Sequence, residues 1–187
     1  NDGGNLLIDQ DSHVAGTVNI NSATIDGKVS LVDLASASVT NSAIEERLRI
    51  ENSSNVTANN NIVQNSLRIL RSGTVSASSN NVTLNFIIEE SNNVSANNNT
   101  IGGQLRVNEN TLIGVESNSI TGNLTGVKNT VGIAISGNSV GANLRSIDNE
   151  NTIIVGNTIG GNLKIIPGEG DCVDVANTFG GELKKGG

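Results

Sequence analysis

Few residues of this chain could carry acid–base or nucleophilic chemistry, and they lie far apart. His13 is the only histidine and Cys172 the only cysteine, so a thiol–imidazole pair would need distant parts of the chain to meet. Acids gather at Glu169, Asp171 and Asp174, where carboxylates suit either a bound cation or a solvated turn. We favour the solvated turn, and a surface or capping role for His13. We therefore expect no enzyme activity, no cofactor and no metal.

The elements that would position these residues follow a 19-residue repeat. One apolar position recurs in steps of 19 or 20 residues. Its members are Val29, Leu48, Leu67, Phe86, Leu105, Leu124, Leu144, Leu163 and Leu183. A fixed period of this size is typical of solenoids, in which each repeat stacks on its neighbours.

One repeat, residues 105–123, shows how a coil is built. Apolar residues alternate with polar ones at Leu105 and Val107, and again at Ile113 and Val115, before a single Ile120. Asn, Ser and Gly separate these short runs, which indicates strands joined by turns. The sequence therefore predicts an all-β, single-stranded parallel β-helix of about nine coils of 19–20 residues, with three short strands per coil. The crossover preference of parallel strands favours a right-handed coil.

The repeat divides the chain into three parts. We expect an irregular N-terminal coil over 1–28, a regular β-solenoid over 29–183 and a C-terminal tail over 184–187. The first coil is too long for the period, and we expect about four inserted residues near Thr17 to Ile20.

Composition and charge exclude some partners. The net charge of −7 disfavours binding to nucleic-acid phosphates. The longest apolar runs fall short of the length of a membrane-spanning segment. The chain has 31 Asn, but its regular aliphatic spacing argues against disorder. High Asn with little Lys leads us to expect an extracellular or cell-surface protein.

Asparagine recurs with the same period at one turn of the coil. It falls two residues before the third strand's inward position in seven consecutive coils. These residues, here called the Asn ladder, are Asn61, Asn80, Asn99, Asn118, Asn138, Asn157 and Asn177. Asn tolerates the left-handed backbone of turns, and stacked amides can bond to one another. We interpret the ladder as structural and not as a binding face.

Two outward surfaces are candidate contact sites. The cation row lies between the two inward residues of the first strand. It consists of Arg49, Arg68, Arg106, Arg145, Lys164 and Lys184. Stacked like charges repel, so nearby acids such as Glu51 and Glu89, or an acidic partner, must offset them.

The second surface, here called the flat face, is an uncharged array of small polar residues on the second strand. It consists of Ser38, Thr40, Thr57, Asn59, Ser76, Ser78, Ser95 and Asn97. The array decays in the next coil, at Leu112, Gly114 and Glu116. Ice, another rod or a glycan are the partners that such a face suits.

Short motifs of the later coils carry a family resemblance. The segments 99–103 (NTIGG), 118–122 (NSITG), 157–161 (NTIGG) and 177–181 (NTFGG) resemble the Asn-x-Val-x-Gly repeat of grass ice-binding β-solenoids. In coil size the chain is similar to the bactofilin class of filament proteins. The first resemblance implies a solenoid that binds ice, and the second a solenoid without catalytic residues that polymerises.

The sequence alone leaves three functions open. No amphipathic helix covers either end of the repeat, and uncapped strands invite association. We therefore expect a non-enzymatic, extracellular structural solenoid that stacks end to end with itself, because head-to-tail contacts do not close. The alternatives are an ice-binding protein that uses the flat face, and an adhesin or phage-fibre segment that binds glycans.

Overall fold

A computed structural model describes residues 5–9 and 16–186, and all regular elements of this part are β-strands. They form three parallel sheets. Sheet A holds β1 (Leu6–Asp9), β4 (Val29–Val32), β7 (Leu48–Glu51), β10 (Leu67–Leu70), β13 (Phe86–Glu89), β16 (Leu105–Asn108), β19 (Leu124–Val127), β22 (Leu144–Asn149), β25 (Leu163–Pro167) and β28 (Leu183–Lys185). Sheet B holds β2 (Thr17–Asn21), β5 (Ser36–Thr40), β8 (Asn55–Asn59), β11 (Thr74–Ser78), β14 (Asn93–Asn97), β17 (Leu112–Glu116), β20 (Gly132–Ser136), β23 (Thr152–Val155) and β26 (Cys172–Val175). Sheet C holds the two-residue strands β3 (Thr24–Ile25), β6 (Ala43–Ile44), β9 (Ile62–Val63), β12 (Asn81–Val82), β15 (Thr100–Ile101), β18 (Ser119–Ile120), β21 (Ser139–Val140), β24 (Thr158–Ile159) and β27 (Thr178–Phe179).

The chain visits sheets A, B and C in turn and then starts the next coil. Each strand pairs in parallel with the strand three elements later, and the register joins equivalent residues, as Leu67 joins Phe86. The predicted parallel β-solenoid of about nine coils, with three strands per coil, is confirmed. The hand of the coil and the boundaries of the three predicted parts stay predictions.

The insertion predicted near Thr17 to Ile20 is wrong in its position. Thr17–Asn21 is a regular strand, β2, which pairs residue for residue with β5. The extra residues fall between β1 and β2, because 8 positions separate Asp9 from Thr17 where 4 separate Val32 from Ser36. Val18 and Ile20 pair with Ala37 and Val39 of β5, so they are the inward residues of β2.

Inward residues of the three sheets fill the solenoid with stacked aliphatic columns. Phe86 and Ile88 are fully buried in sheet A, and Val94 and Ala96 are buried opposite them in sheet B. Where the inward side chain of one sheet is small, the inward side chain of another sheet is large. Gly126 stands at the inward position of sheet A that Val107 occupies in the preceding coil. The Cδ1 of Ile133 occupies the space that a Cβ at Gly126 would need. This exchange keeps the interior close-packed along the rod.

Left-handed residues make the turn between sheets B and C. One residue directly before each of the seven ladder positions has a positive φ, which ranges from 55° at Ser117 to 64° at Gly156 and is 56° at Ala176. Asn and Gly adopt this conformation at little cost, whereas an alanine there is strained by about 1–2 kcal/mol. The frequent Asn, Ser and Gly of the chain thus meet a backbone requirement.

The last described coil carries charge at core positions. Asp174 pairs in register with the buried Ile154, and Lys185 pairs with the buried Ile165. The Lys185 Nζ lies 2.9 Å from an Asp174 carboxylate oxygen, and Asn177 donates a 2.7 Å hydrogen bond to the other oxygen. The hydrogen bond to Asp174 and its negative charge raise the pKa of Lys185. The preceding strand of each sheet has a buried isoleucine at this position, so in the last described coil an ion pair replaces two isoleucines.

Candidate functional site

The cation row stands on the outer face of sheet A, at the second position of each strand. The register aligns Arg49 with Arg68, and Arg145 with Lys164 and Lys184. Ile87 and Thr125 occupy the same column in two of the other coils. Adjacent strands lie about 4.8 Å apart, so the charges stand at that interval along the rod. At about 4 Å, two like unit charges repel by about 1 kcal/mol even in water.

Acids neutralise the cation row in its N-terminal half. Glu51, at the fourth position of β7, is 4% exposed and pairs with both Arg49 and Arg71. Glu89, at the same position of β13, lies 2.8 Å from Arg106 and 3.9 Å from Arg68. This half of sheet A is therefore a network of mixed charge, as the sequence suggested for Glu51 and Glu89.

The C-terminal half of the row has no such acids. The fourth position is Ile147 in β22 and Ile166 in β25. Within the part of the chain that the structure describes, Arg145 and Lys164 form no ion pair, while Lys184 lies 3.1 Å from the exposed Glu182. These cations line a shallow groove of about 320 Å³. Its lining residues are Asn143, Arg145, Asn162, Lys164 and Lys184.

The flat face occupies the outer side of sheet B in two straight columns. One column aligns Ser38, Thr57, Ser76 and Ser95, and the other aligns Thr40, Asn59, Ser78 and Asn97. All eight are half-buried by their neighbours. Some are already bonded within the face, as Asn97 donates to the Ser95 hydroxyl at 2.9 Å. The result is a charge-free array that spans four coils.

Beyond these four coils one column of the flat face becomes apolar. The column of Ser95 continues as Gly114, Ala134, Ile153 and Val173. Ile153 is 45% and Val173 43% exposed. The column of Asn97 continues instead through the charged Glu116 and through Ser136. These changes confine any uniform, uncharged polar contact to the earlier coils.

The seven predicted ladder residues form one continuous chain of hydrogen bonds at the turn between sheets B and C. Six of them, Asn61 to Asn157, are 1% exposed. The Asn99 Oδ1 accepts from the backbone N–H and the Nδ2 of Asn80, at 2.9 and 3.0 Å. Its Nδ2 donates to the Ala77 carbonyl and to the Asn118 Oδ1, at 3.0 and 2.9 Å. Burial and full pairing leave these amides unavailable to a ligand.

A second buried ladder, which the sequence reading missed, lies at the turn between sheets A and B. It consists of Ser53, Ser72, Ser91, Asn110, Asn129 and Asn149. The Ser91 hydroxyl accepts from the Ser72 N–H at 3.2 Å, and the Asn110 Oδ1 accepts from the Ser91 N–H at 3.0 Å. Its period of 19 or 20 residues was available, but the change from Ser to Asn hid the row.

A third row, between sheets C and A, runs in the opposite direction. The Asn143 N–H donates back to the Asn123 Oδ1 at 3.1 Å, and the Asn162 N–H donates back to the Asn143 Oδ1 at 2.9 Å. In the two buried ladders the backbone N–H donates forward to the following coil. Members of the third row are partly exposed, so Asn143 and Asn162 also line the groove beside the cation row.

The structure describes four of the candidate catalytic residues: Glu169, Asp171, Cys172 and Asp174. His13 lies outside the described residues. Cys172 and Asp171 are exposed, and Asp174 is engaged by Lys185. Among the described residues, no group of three or more His, Cys, Asp or Glu side chains is placed to hold a metal ion.

Comparison with protein-family models, curated proteins and solved structures finds no match to this chain. The resemblances to grass ice-binding solenoids and to bactofilins are thus supported by the β-solenoid fold alone. Within residues 5–9 and 16–186 there is no helix of the length and apolarity that would cross a membrane.

Proposed function

We propose that this protein is a non-enzymatic structural β-solenoid that self-associates end to end into a filament or surface layer outside the cell. One observation carries the proposal: stacking is the stabilising contact of the fold. Each described coil joins the next through three in-register sheets and rows of amide hydrogen bonds. A coil of a second copy offers the same backbone groups in the same register, and such a contact propagates without closing.

Residues of the outermost described coils fit this contact in part. Leu6 and Ile8 of β1 stand in the same two columns of sheet A as Leu183 and Lys185 of β28. Leu183 is 40% exposed and would be covered by an apolar neighbour. The Asp174–Lys185 pair would have to be buried, which is costly for an ion pair. We therefore expect end-to-end association to be weak in the wild-type protein.

The non-enzymatic part of the proposal is supported by the dispersion of the acids. Glu51, Glu89 and Asp174 each pair with cations, on different coils. General acid–base catalysis of glycosidic cleavage needs two carboxyl groups on either side of one bond. Surface labelling of intact source cells with an antibody would test the extracellular location, and a signal that appears only after lysis would refute it.

Electron microscopy tests the assembly. Wild-type protein and the double variant Asp174→Ile/Lys185→Ile are compared over a range of protein concentrations. The variant restores the residues of the preceding coil, so we expect longer and more frequent filaments from it. Lys128→Gln, on a turn of another coil, is the matched surface control. Discrete rods of one length for all three proteins, at every concentration, would refute end-to-end stacking.

Ice binding is the second candidate, and the two straight columns of the flat face favour it. Ordered hydroxyls and amides at the coil spacing can match a regular lattice. Replacing Thr57 and Ser76 by Lys, one in each of two adjacent coils, would disrupt that array without touching the core. Thermal hysteresis that the wild type shows and this variant loses would support the candidate. Absence of hysteresis and of ice shaping by the wild type would exclude it.

Glycan binding is the third candidate, and it depends on the cation row alone. The groove beside Arg145 and Lys164 is the observation in its favour. This role does not require self-association, because the groove lies on the outer face of sheet A; its last member, Lys184, belongs to the outermost described strand of that sheet.

A further inference from the structure

We propose that Arg145, Lys164 and Lys184, with Asn143 and Asn162, form a binding surface for a linear polysaccharide that carries carboxylates. This inference deepens the glycan-binding candidate and assigns it to one end of one sheet. It stands whether or not the protein forms filaments. The five residues line a single groove of about 320 Å³ on sheet A.

The three cations are aligned in a straight column. Arg145, Lys164 and Lys184 are directly paired across β22, β25 and β28. Parallel strands hold them about 4.8 Å apart on a line that follows the rod axis. A row of cations whose backbone positions repeat at a fixed interval suits an extended polymer with repeated negative groups better than a single small anion.

The two halves of the cation row differ in the acids beside them. In the N-terminal half, Glu51 and Glu89 form ion pairs with the arginines beside them. In the C-terminal half these acids are replaced by Ile147 and Ile166. Among the described residues, Arg145 and Lys164 then have no ion-pair partner, and Lys184 has only the exposed Glu182. The protein as a whole has a net charge of −7, so this local excess of positive charge stands out from the rest of the surface.

Side-chain amides and one exposed acid surround the cations. Asn143 and Asn162 are partly exposed and bring side-chain amides to the same groove, where they can bond to sugar hydroxyls. Lys184 now pairs with Glu182, and the two side chains are 60% and 72% exposed. A carboxylate of the ligand can take the place of Glu182 at little cost, because exposed ion pairs are weak.

Nucleic acid fits this surface poorly. Single-stranded chains are held by aromatic side chains on which bases stack. The chain has two Phe and no Tyr or Trp; Phe86 is fully buried, and Phe179 packs against the core. The overall negative charge would repel phosphates outside the groove.

The test is binding to polygalacturonate, measured by isothermal titration calorimetry at low and at high salt. Dextran serves as the neutral polymer and single-stranded DNA as the phosphate polymer. We expect saturable binding of polygalacturonate that weakens with salt, no binding of dextran and weaker binding of DNA. No binding of polygalacturonate at low salt, or equal binding of DNA, would overturn the proposal.

Two double variants locate the site. Arg145→Gln/Lys164→Gln removes two charges from the unpaired half, and Arg68→Gln/Arg106→Gln removes two from the paired half of the same column. We expect the first to lose affinity by about tenfold or more and the second by less than about twofold, on the scale of charge-assisted hydrogen bonds. Equal losses would show that only net charge matters and would overturn the assignment.

Folding of each variant is checked by far-UV circular dichroism before binding is measured. If Arg68→Gln/Arg106→Gln fails to fold because Glu89 loses its partners, Lys28→Gln/Lys128→Gln provides the same charge change on exposed turns. Arg145→Lys keeps the charge but not the bidentate geometry. It should retain binding, and its complete loss would contradict an electrostatic groove.

Discussion

Replacing one buried amide of the Asn ladder measures what that ladder contributes to stability. Asn99 is 1% exposed, and its side chain takes part in four hydrogen bonds. Asn99→Ala removes all four. The Asn80 N–H then loses its acceptor, whereas the Asn80 Nδ2 keeps the Ala58 carbonyl at 2.6 Å. The Asn118 Oδ1 likewise keeps the Asn99 N–H at 2.9 Å.

The expected magnitude follows from this inventory. A buried donor without a partner costs about 1–3 kcal/mol, and each further hydrogen bond that is lost costs about 0.5–1.5 kcal/mol. We expect Asn99→Ala to lower the free energy of unfolding by about 3–5 kcal/mol when partial compensation by the remaining partners is allowed for. That corresponds to a fall in Tm of roughly 6–20 °C for a protein of this size.

Serine at the same site makes the prediction sharper. At the ladder position of an earlier coil, Ser42 accepts from the Ala23 N–H at 3.1 Å and donates to the Thr40 carbonyl at 2.8 Å. Asn99→Ser should therefore keep an acceptor for the Asn80 N–H and cost about 1–2 kcal/mol. Asn93→Ala, on the exposed face of the same coil, is the control and should change stability by less than about 0.5 kcal/mol.

Urea unfolding followed by far-UV circular dichroism suits a chain without Trp or Tyr. Calorimetry shows whether the solenoid unfolds as one unit, which repeat proteins do not always do. Equal losses for Asn99→Ala and Asn99→Ser, or a loss for Asn99→Ala no larger than that of Asn93→Ala, would refute the role assigned to the ladder.

Three further predictions concern backbone strain, core packing and charge. Ala176→Gly should raise stability by about 0.5–1 kcal/mol because it relieves a φ of 56°, and Gly156→Ala should lower it by about as much; calorimetry that finds the opposite signs contradicts the argument. Gly126→Ala should cost about 1–3 kcal/mol because its Cβ meets the Ile133 Cδ1; adding Ile133→Val should recover part of that loss, and strict additivity in urea unfolding would show that the two side chains do not compete for space. The raised pKa of Lys185 means that its contribution to stability is present below the ordinary lysine pKa and is lost as pH rises through the raised value; the urea midpoint should fall in that alkaline range for the wild type and less for Lys185→Met, and identical pH profiles would exclude the pair as a source of stability.

The fold could be read from the sequence because the repeat fixes register. Once Leu48, Leu67 and Phe86 are aligned by the period, alternation decides which residues face inward, and the structure pairs them as expected. The first coil departs from the period. Its extra residues lie between β1 and β2, and an irregular spacing alone does not show where in a coil the extra residues fall.

The surfaces were only partly predictable. The outward columns follow from alternation, but a column alone does not show which charges have partners. Whether Glu51 reaches two arginines at once depends on side-chain conformation. The charged core positions were open to sequence reading, since Lys185 follows Leu183 as Ile165 follows Leu163. They were missed because a lysine near the last repeat resembles a solvated tail.

The direction of the amide rows has a mechanical consequence. Hydrogen bonds of the sheets and ladders run from coil to coil, along the rod axis, as the bond from Asn99 to Asn118 does. A force that pulls two coils apart along that axis therefore loads all three sheets and both buried ladders of one junction together. A force that peels a single strand from the side instead breaks its bonds one after another. Such a rod should resist stretching far better than unwinding.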